Sequence, residues 1–405
     1  MKQQINIAGN IVKLRKKKGL TQSALAEKLY VSNKTVSKWE RGAGYPEITQ
    51  LLSLSKILGV GIDDLLLGEM YGIAIAGNIL TDMVKMIDMY PKTSMLANII
   101  STSRAVGGCV PNTGIDLAVI DRTLSISAIG CVGDDEGGRY VVSELNKYGI
   151  DTGSVKILKG SSTSFSDVMT IQSTGERTFF HHRGANALFS PEHVDISALN
   201  GKMLHIGYIL LLDKFDTHDD EYGTMMARFL KEVKDAGIKT SIDVVSDSSE
   251  KFAEMVIPAL RYTDNAIMNE IEGCGVLGIA PRDENGRIIV DNIKKAMEHI
   301  MSCGVSERVI IHCPEAGFIL NCNGDFTVVP SISLPAGYIK GTVGAGDAFC
   351  AGCLYGIYNG MSDKDILEFA SGAAVCNLTA EDSVSGMKSK DEIYKIISGC
   401  QRQTL

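Results

Sequence analysis

From residue 71 to residue 400, apolar runs of strand length alternate with amphipathic helical stretches. This alternation constrains the fold more than any other feature of the chain. Ser125–Ile129 is followed by a helical stretch over Glu136–Tyr148. Lys202–Ile206, Lys239–Asp243, Asn265–Met268 and Arg308–His312 bracket further helical stretches in the same way. Repeated strand–helix units predict an α/β fold with a largely parallel sheet. Thr163–Ile171 and Glu176–His182 break the pattern, because they flank the turn signal Ser173-Thr174-Gly175. They read as a hairpin belonging to a small β lid, in which His181 and His182 would lie on opposite faces.

Charge divides the 405 residues where the pattern does. Residues 1–68 carry 11 Lys and Arg against 5 Asp and Glu, whereas the remaining 337 carry 29 against 43. A small basic head on a large acidic body suggests two kinds of partner. A 45% hydrophobic content excludes disorder of the whole chain. No run reaches the roughly 18 apolar residues of a membrane span, and Met1-Lys2-Gln3-Gln4 opens no signal peptide, so a cytoplasmic protein without membrane contact is expected. The ten cysteines are dispersed, as in reduced proteins. Cys350 and Cys353 have C-x-x-C spacing without a second pair or a His cluster, which reads as helix packing.

The head reads as short helices. Ile7, Ile11 and Leu14 mark one face and Gly19 a stop. Thr21 caps a second helix bearing Leu25, Ala26 and Leu29. Ser32 caps a third that buries Val36 and Trp39, and Pro46-Glu47 opens a fourth with Ile48, Leu51, Leu52 and Ile57 inward. Two such helices around the tight turn at Tyr30-Val31-Ser32 form a helix-turn-helix. Leu20–Leu29 and Val31–Gly42 closely resemble the lambda-repressor/Cro family. The resemblance implies that Asn33, Lys34 and Lys38 face base edges, and that Gln22, Ser32 and Thr35 contact phosphates or neighbouring bases. These groups suit those tasks. DNA binding through residues 1–68 follows, with a homodimer expected because one such unit reads a single half-site. Only Glu69 and Met70 separate this unit from the body, residues 71–405, so the two domains are expected to be mutually oriented.

In Gly341-Thr-Val-Gly-Ala-Gly-Asp347, the backbone of Gly344, Ala345 and Gly346 can approach an anion at a helix start, and Asp347 falls in the first turn. A carboxylate beside an anion cradle suits proton removal during phosphoryl transfer. The spacing equally fits an acidic helix start after a Gly turn. Gly344–Asp347 is similar to the signature of the ribokinase-like, or phosphofructokinase-B, carbohydrate kinases, and the similarity extends over residues 71–400.

Gly77-Asn78 followed by Asp82 resembles that family's first strand, whose Asp holds sugar hydroxyls. Gly107-Gly108 with Asn112 resembles its second, sugar-facing signature. Gly130, Gly133, Asp134, Asp135 and Gly138 follow in order. Asn269-Glu270-Ile271-Glu272 resembles its N-x-x-E element, and Gly317 its nucleotide-side glycine. The resemblance implies a three-layer sandwich with a mainly parallel central sheet and a β lid. It also implies transfer from ATP to a sugar hydroxyl with Asp347 as base. Asp82, Gly107, Gly108 and Asn112 would then hold the sugar, Asn269, Glu272 and Gly317 the nucleotide, and Glu272 would meet Mg2+ through water.

Gly341 stands where that family has Asp, leaving a monovalent-cation site open, and Pro314 stands where a backbone donor is usual. Arg177 and Arg183 offer forks for a substrate phosphate or carboxylate, or are strand-edge cations. The other reading is a transcription regulator whose kinase-like body senses a sugar or sugar phosphate with little turnover.

Overall fold

The computed structural model describes residues 7–60, 62–67, 72–199, 201–245 and 252–405. The chain divides into two compact units, residues 1–71 with 199–201 and residues 72–198 with 202–405. The join at 68–71, on which the expectation of mutual orientation rests, lies outside the described residues.

In the first unit, helices span Ile7–Lys17, Gln22–Leu29, Asn33–Glu40, Ile48–Leu58 and Ile62–Leu67. Local chemistry sets their ends. The Thr21 and Ser32 hydroxyls accept the Ala24 and Thr35 amides at 3.1 Å, and Tyr30 ends the second helix at φ 56°. Ile11, Leu14, Leu25, Val36, Trp39, Leu54 and Leu58 form the core. The fourth helix is rotated from the expected face. Leu54 and Leu58 are buried with Leu51 and Ile57 packed against them, while Ile48 and Leu52 are exposed. Its apolar residues encircle the helix, so periodicity alone could not select the inward side.

The second unit is built on a nine-stranded sheet. Its order is Phe326–Pro330, Ala316–Asn321, Arg308–His312, Asn265–Asn269, Lys239–Val244, Met203–Ile209, Ile73–Gly77, Ile126–Gly133 and Asp151–Leu158. All pairings from Arg308–His312 to Asp151–Leu158 are parallel; only the edge hairpins are antiparallel. The middle strands are buried along nearly their whole length, as a sheet covered on both faces requires. Helices Cys109–Ile120, Ala345–Tyr358 and Asp363–Asn377 pack together in one layer. Met225–Asp235, Phe252–Leu260, Glu270–Leu277 and Val290–Ser302 neighbour one another in the other.

A separate four-stranded sheet is the lid, in the order Ile99–Gly107, Leu80–Ile87, Ser164–Ile171, Arg177–His182. The hairpin read from sequence is present, but its partners Leu80–Ile87 and Ile99–Gly107 were not anticipated. Asp82, matched by resemblance to the family's first-strand segment, lies on the lid strand Leu80–Ile87. Gly77 (φ 130°) is where the chain turns out of the main sheet toward it.

Candidate active site

Helix Ala345–Tyr358 starts at Gly344, whose φ of 79° favours glycine. A Cβ there would also lie 2.6 Å from the Ser383 carbonyl oxygen. Asp347 follows in the first turn, 8% exposed. The Tyr208 hydroxyl donates to both its carboxylate oxygens, at 2.8 and 2.9 Å, and Asn112 Nδ2 donates to Oδ2 at 2.9 Å. Ser383 Oγ donates to Asn112 Oδ1 at 2.8 Å, which fixes the amide orientation. Burial and the charge of Asp243 push the Asp347 carboxyl up to about 6, and the Asn112 and Tyr208 donors pull against them. The Tyr208 phenol is itself held protonated by burial and by Asp347.

Tyr208 was not identified from the sequence. It sits at the carboxyl end of a central parallel strand, where open α/β sheets place their ligand crevice. Its φ of 64°, followed by Leu210 at 83°, is unusual for non-glycine residues and marks stored backbone strain at this strand end. Its N–H donates to Asp243 Oδ1 at 2.6 Å.

Asp347 opens onto a cavity of about 230 Å3 lined also by Gly344, Gly346, Asn269, Glu272 and His312. Glu272 and Asn269 form a capping box: the Asn269 N–H and Nδ2 donate to the carboxylate at 2.9 and 2.7 Å, and Asn269 Oδ1 accepts the Ile271 and Glu272 amides. Burial lowers His312 to about 4, so it stands neutral at pH 7. A larger cavity, about 600 Å3, shares Asn269, His312 and Gly346, and has apolar walls from Ile332, Leu334, Ile339 and Phe349. Pro314 lines it as well. Gly317 lines neither cavity: it is buried in the sheet, where a Cβ would lie 2.9 Å from Leu367 and 3.2 Å from Phe349. Close packing accounts for that glycine. Gly341 is equally closed, since a Cβ there would be 2.6 Å from the Ala380 carbonyl oxygen.

On the lid, Asp82, Ser166 and His181 lie directly opposite one another on three adjacent strands and share one face. His181 Nδ1 is 3.1 Å from Ser166 Oγ, whereas His182 turns to the other face, 2.9 Å from Ser162 Oγ. Burial pushes Asp82 up to about 7; the nearby Arg177 charge opposes this and Asp347 adds to it. A Cβ on Gly107 would meet Asp82 Oδ2 at 2.4 Å, and one on Gly108 (φ 90°) would meet the Asn78 carbonyl at 2.5 Å, so both glycines admit that close packing. The fully buried Asn78 amide has no hydrogen-bond partner among the described residues. Arg177 donates to the Glu381 carbonyl at 3.2 Å, and Arg183 is paired with Asp213.

In the first unit, Asn33, Lys34 and Lys38 are exposed on helix Asn33–Glu40, with Ser32 at its start and Thr35 half-buried. Gln22 is engaged otherwise: its Nε2 donates to Glu40 at 2.6 Å, within a buried pair formed by Glu40 and Arg15.

The pfkB family carbohydrate kinase pattern matches residues 81–390, and a helix-turn-helix pattern matches residues 11–65. The chain is 22% identical over 329 residues to ribokinase of Schizosaccharomyces pombe, covering 80% of this chain and 97% of that protein. Over 56 residues it is 55% identical to the HTH-type transcriptional activator BcrR of Enterococcus faecalis, 14% of this chain and 28% of that one. The fold matches the structure of Arabidopsis thaliana ribokinase complexed with ribose and ATP, with a TM-score of 0.66 and 19% identity over 81% of this chain and 98% of that one. The chain therefore belongs to the pfkB family of carbohydrate kinases, carrying a helix-turn-helix unit ahead of its kinase domain.

Proposed function

We propose that this carbohydrate kinase transfers the γ-phosphoryl group of ATP to a sugar hydroxyl with Asp347 as general base. The hydroxyl oxygen forms a bond to the γ-phosphorus and gives its proton to Asp347, while the bond to the β–γ bridging oxygen breaks and ADP leaves. The observation that carries this reading is a carboxylate, poised near pH 6, in the first turn of a helix that opens onto a polar cavity. Ala345 N–H is taken by the Thr342 carbonyl at 3.3 Å, which leaves the Gly346 and Asp347 amides as the helix-end donors for the transferring group. Asn112 is 5% exposed and engaged by Asp347 and Ser383, so its first task is to orient the base.

Asp82, the Gly107 and Gly108 backbone and the unpaired Asn78 amide would hold the sugar, since carboxylate and amide groups suit vicinal hydroxyls. The apolar cavity of about 600 Å3 is large enough for a nucleotide base, with Asn269 and Glu272 at its phosphate end. Glu272 suits Mg2+ indirectly, because it is a carboxylate on the lining of the Asp347 cavity whose position Asn269 fixes, and that ion usually keeps several waters. Bound there, the ion would neutralise charge on the phosphates. No monovalent cation is assigned, because position 341 has no side chain and no room for one.

The head would read DNA through Asn33, Lys34 and Lys38, with Ser32 and Thr35 near the phosphates and the whole chain acting as a homodimer. Ten free cysteines fit a cytoplasmic setting.

A pH–rate profile tests the base. A base works only when ionised, so kcat should fall as pH drops through about 6 and level off above it. Ionised Asp82 binds the sugar, so the KM for sugar should rise as pH drops through about 7. Tyr208→Phe removes a donor that favours the ionised Asp347, and should move the kcat limb to higher pH. A kcat that stays flat down to pH 4.5, or a limb unmoved by Tyr208→Phe, would count against Asp347.

A further inference from the structure

The segment Gln401–Gln403 lies beyond residues 81–390, which the family pattern matches, and it borders the larger cavity. Backbone bonds hold it there as a short extra edge. The Ser333 N–H donates to the Gln401 carbonyl at 2.8 Å, and the Gln403 N–H to the Ser331 carbonyl at 2.8 Å. Arg402 pairs with Ile332 in an antiparallel bridge, and its guanidinium donates to the Pro330 carbonyl at 3.0 Å. Gln403 is thereby fixed, half-buried, on the cavity wall.

The chemistry of that wall is uneven. Ile332, Leu334, Ile339 and Phe349 suit the faces of a flat ring but cannot tell one base from another. Of the polar lining side chains, Asn269 is engaged by Glu272, Glu270 is paired with Arg282, and His312 is shared with the Asp347 cavity. The Ser331, Thr342 and Ser371 hydroxyls rotate to donate or accept, so they discriminate poorly. Pro314 offers a carbonyl and no N–H. Gln403 Nε2 donates to that carbonyl at 3.4 Å, which sets the direction of the amide, because turning it over would oppose two acceptor oxygens. The second Nε2 hydrogen and Oε1 have no partner among the described residues. They form a donor beside an acceptor.

We propose that Gln403 reads the nucleotide base and makes the cavity selective for adenine over guanine. This role rests on the reading of the larger cavity as the nucleotide site. Adenine carries an amino donor at position 6 beside ring-nitrogen acceptors, so it can give to Oε1 while a ring nitrogen accepts from Nε2. In the same pose guanine turns its O6 acceptor toward Oε1, and two lone pairs meet. Gln403 acts on nucleotide binding and not on the transfer itself.

Calorimetry of the full-length chain with Mg-ATP and with Mg-GTP, in the absence of sugar, measures this selectivity without phosphoryl transfer. The parent protein should bind ATP about five- to tenfold more tightly than GTP, the low end for one bidentate pair because Gln403 is half-exposed. Gln403→Met keeps the length of the side chain and removes both polar groups. It should weaken ATP binding by about that factor, leave GTP binding unchanged or tighter, and bring the ratio near one. Gln401→Ala, at an exposed neighbour on the same segment, should keep the parent ratio. A merely structural role for Gln403 would weaken both nucleotides alike and leave the ratio unmoved. That result, or equal affinity of the parent protein for the two, would overturn the proposal and leave the nucleotide site standing. Binding of neither nucleotide would overturn both.

Discussion

Asp347→Asn is expected to lower sugar phosphorylation by about 10²–10⁴-fold, the usual contribution of a positioned base, with ATP affinity little changed. Asn has the same shape and keeps one oxygen for the Tyr208 and Asn112 donors, but it cannot take the hydroxyl proton. The helix start proposed to meet the phosphates is set by Gly344 and by backbone, which the substitution leaves in place. Sugar-dependent ADP formation, with ATP affinity measured by calorimetry, separates the two effects. Turnover within a few-fold of the parent protein would remove Asp347 from the reaction and return it to the simpler role of an acidic helix start.

Glu40→Ala should destabilise the head by about 3–5 kcal/mol. The Glu40 side chain is 5% exposed and that of Arg15 10%. Arg15 donates to both Glu40 oxygens, at 2.5 and 3.0 Å, and to the Leu20 carbonyl at 2.7 Å, with Gln22 adding a further donor to Glu40. Removing the carboxylate leaves a guanidinium buried without its counter-charge. A small unit with one modest core has few kcal/mol in reserve. Burial pushes the Glu40 carboxyl up, but the Arg15 and Gln22 hydrogen bonds outweigh it and hold it below its ordinary value. Its contribution is thus present above the ordinary carboxylate range and is lost as pH falls through the lowered folded value. Trp39, the chain's single tryptophan, is buried in the head core, so its fluorescence follows this unit alone. A urea midpoint by Trp39 fluorescence that does not move in Glu40→Ala would show the pair to be dispensable.

Much of the architecture was legible because it rests on local chemistry. Thr21 and Ser32 cap the helices they were expected to cap, and Asp347 falls in the first turn after a Gly loop. Five main-sheet strands follow from short apolar runs between helices, whereas the edge strands Asp151–Leu158, Ala316–Asn321 and Phe326–Pro330 were not read. What escaped was set by tertiary packing. Leu80–Ile87 and Ile99–Gly107 mix polar and apolar residues and become strands only by pairing with the hairpin, so the lid position of Asp82 was not legible. Tyr208 carries no motif; its importance comes from a left-handed backbone and a hydrogen bond spanning 139 residues. Gly317 shows a limit of another kind, because sequence cannot tell a glycine required by packing from one that faces a ligand. Cys350 was read through its spacing to Cys353, yet its neighbour across the fold is His205.

The central claim, catalysis of sugar phosphorylation by this chain, is tested most directly by incubating the full-length protein with Mg-ATP and a panel of sugars and nucleosides. ADP and phosphorylated product would be quantified together by mass spectrometry. At least one sugar should give product in equal amounts with ADP, and Asp347→Asn should lower both by about 10²–10⁴-fold. Sugars that bind and alter DNA affinity while no member of the panel is phosphorylated would contradict that claim and identify the body as a sensor.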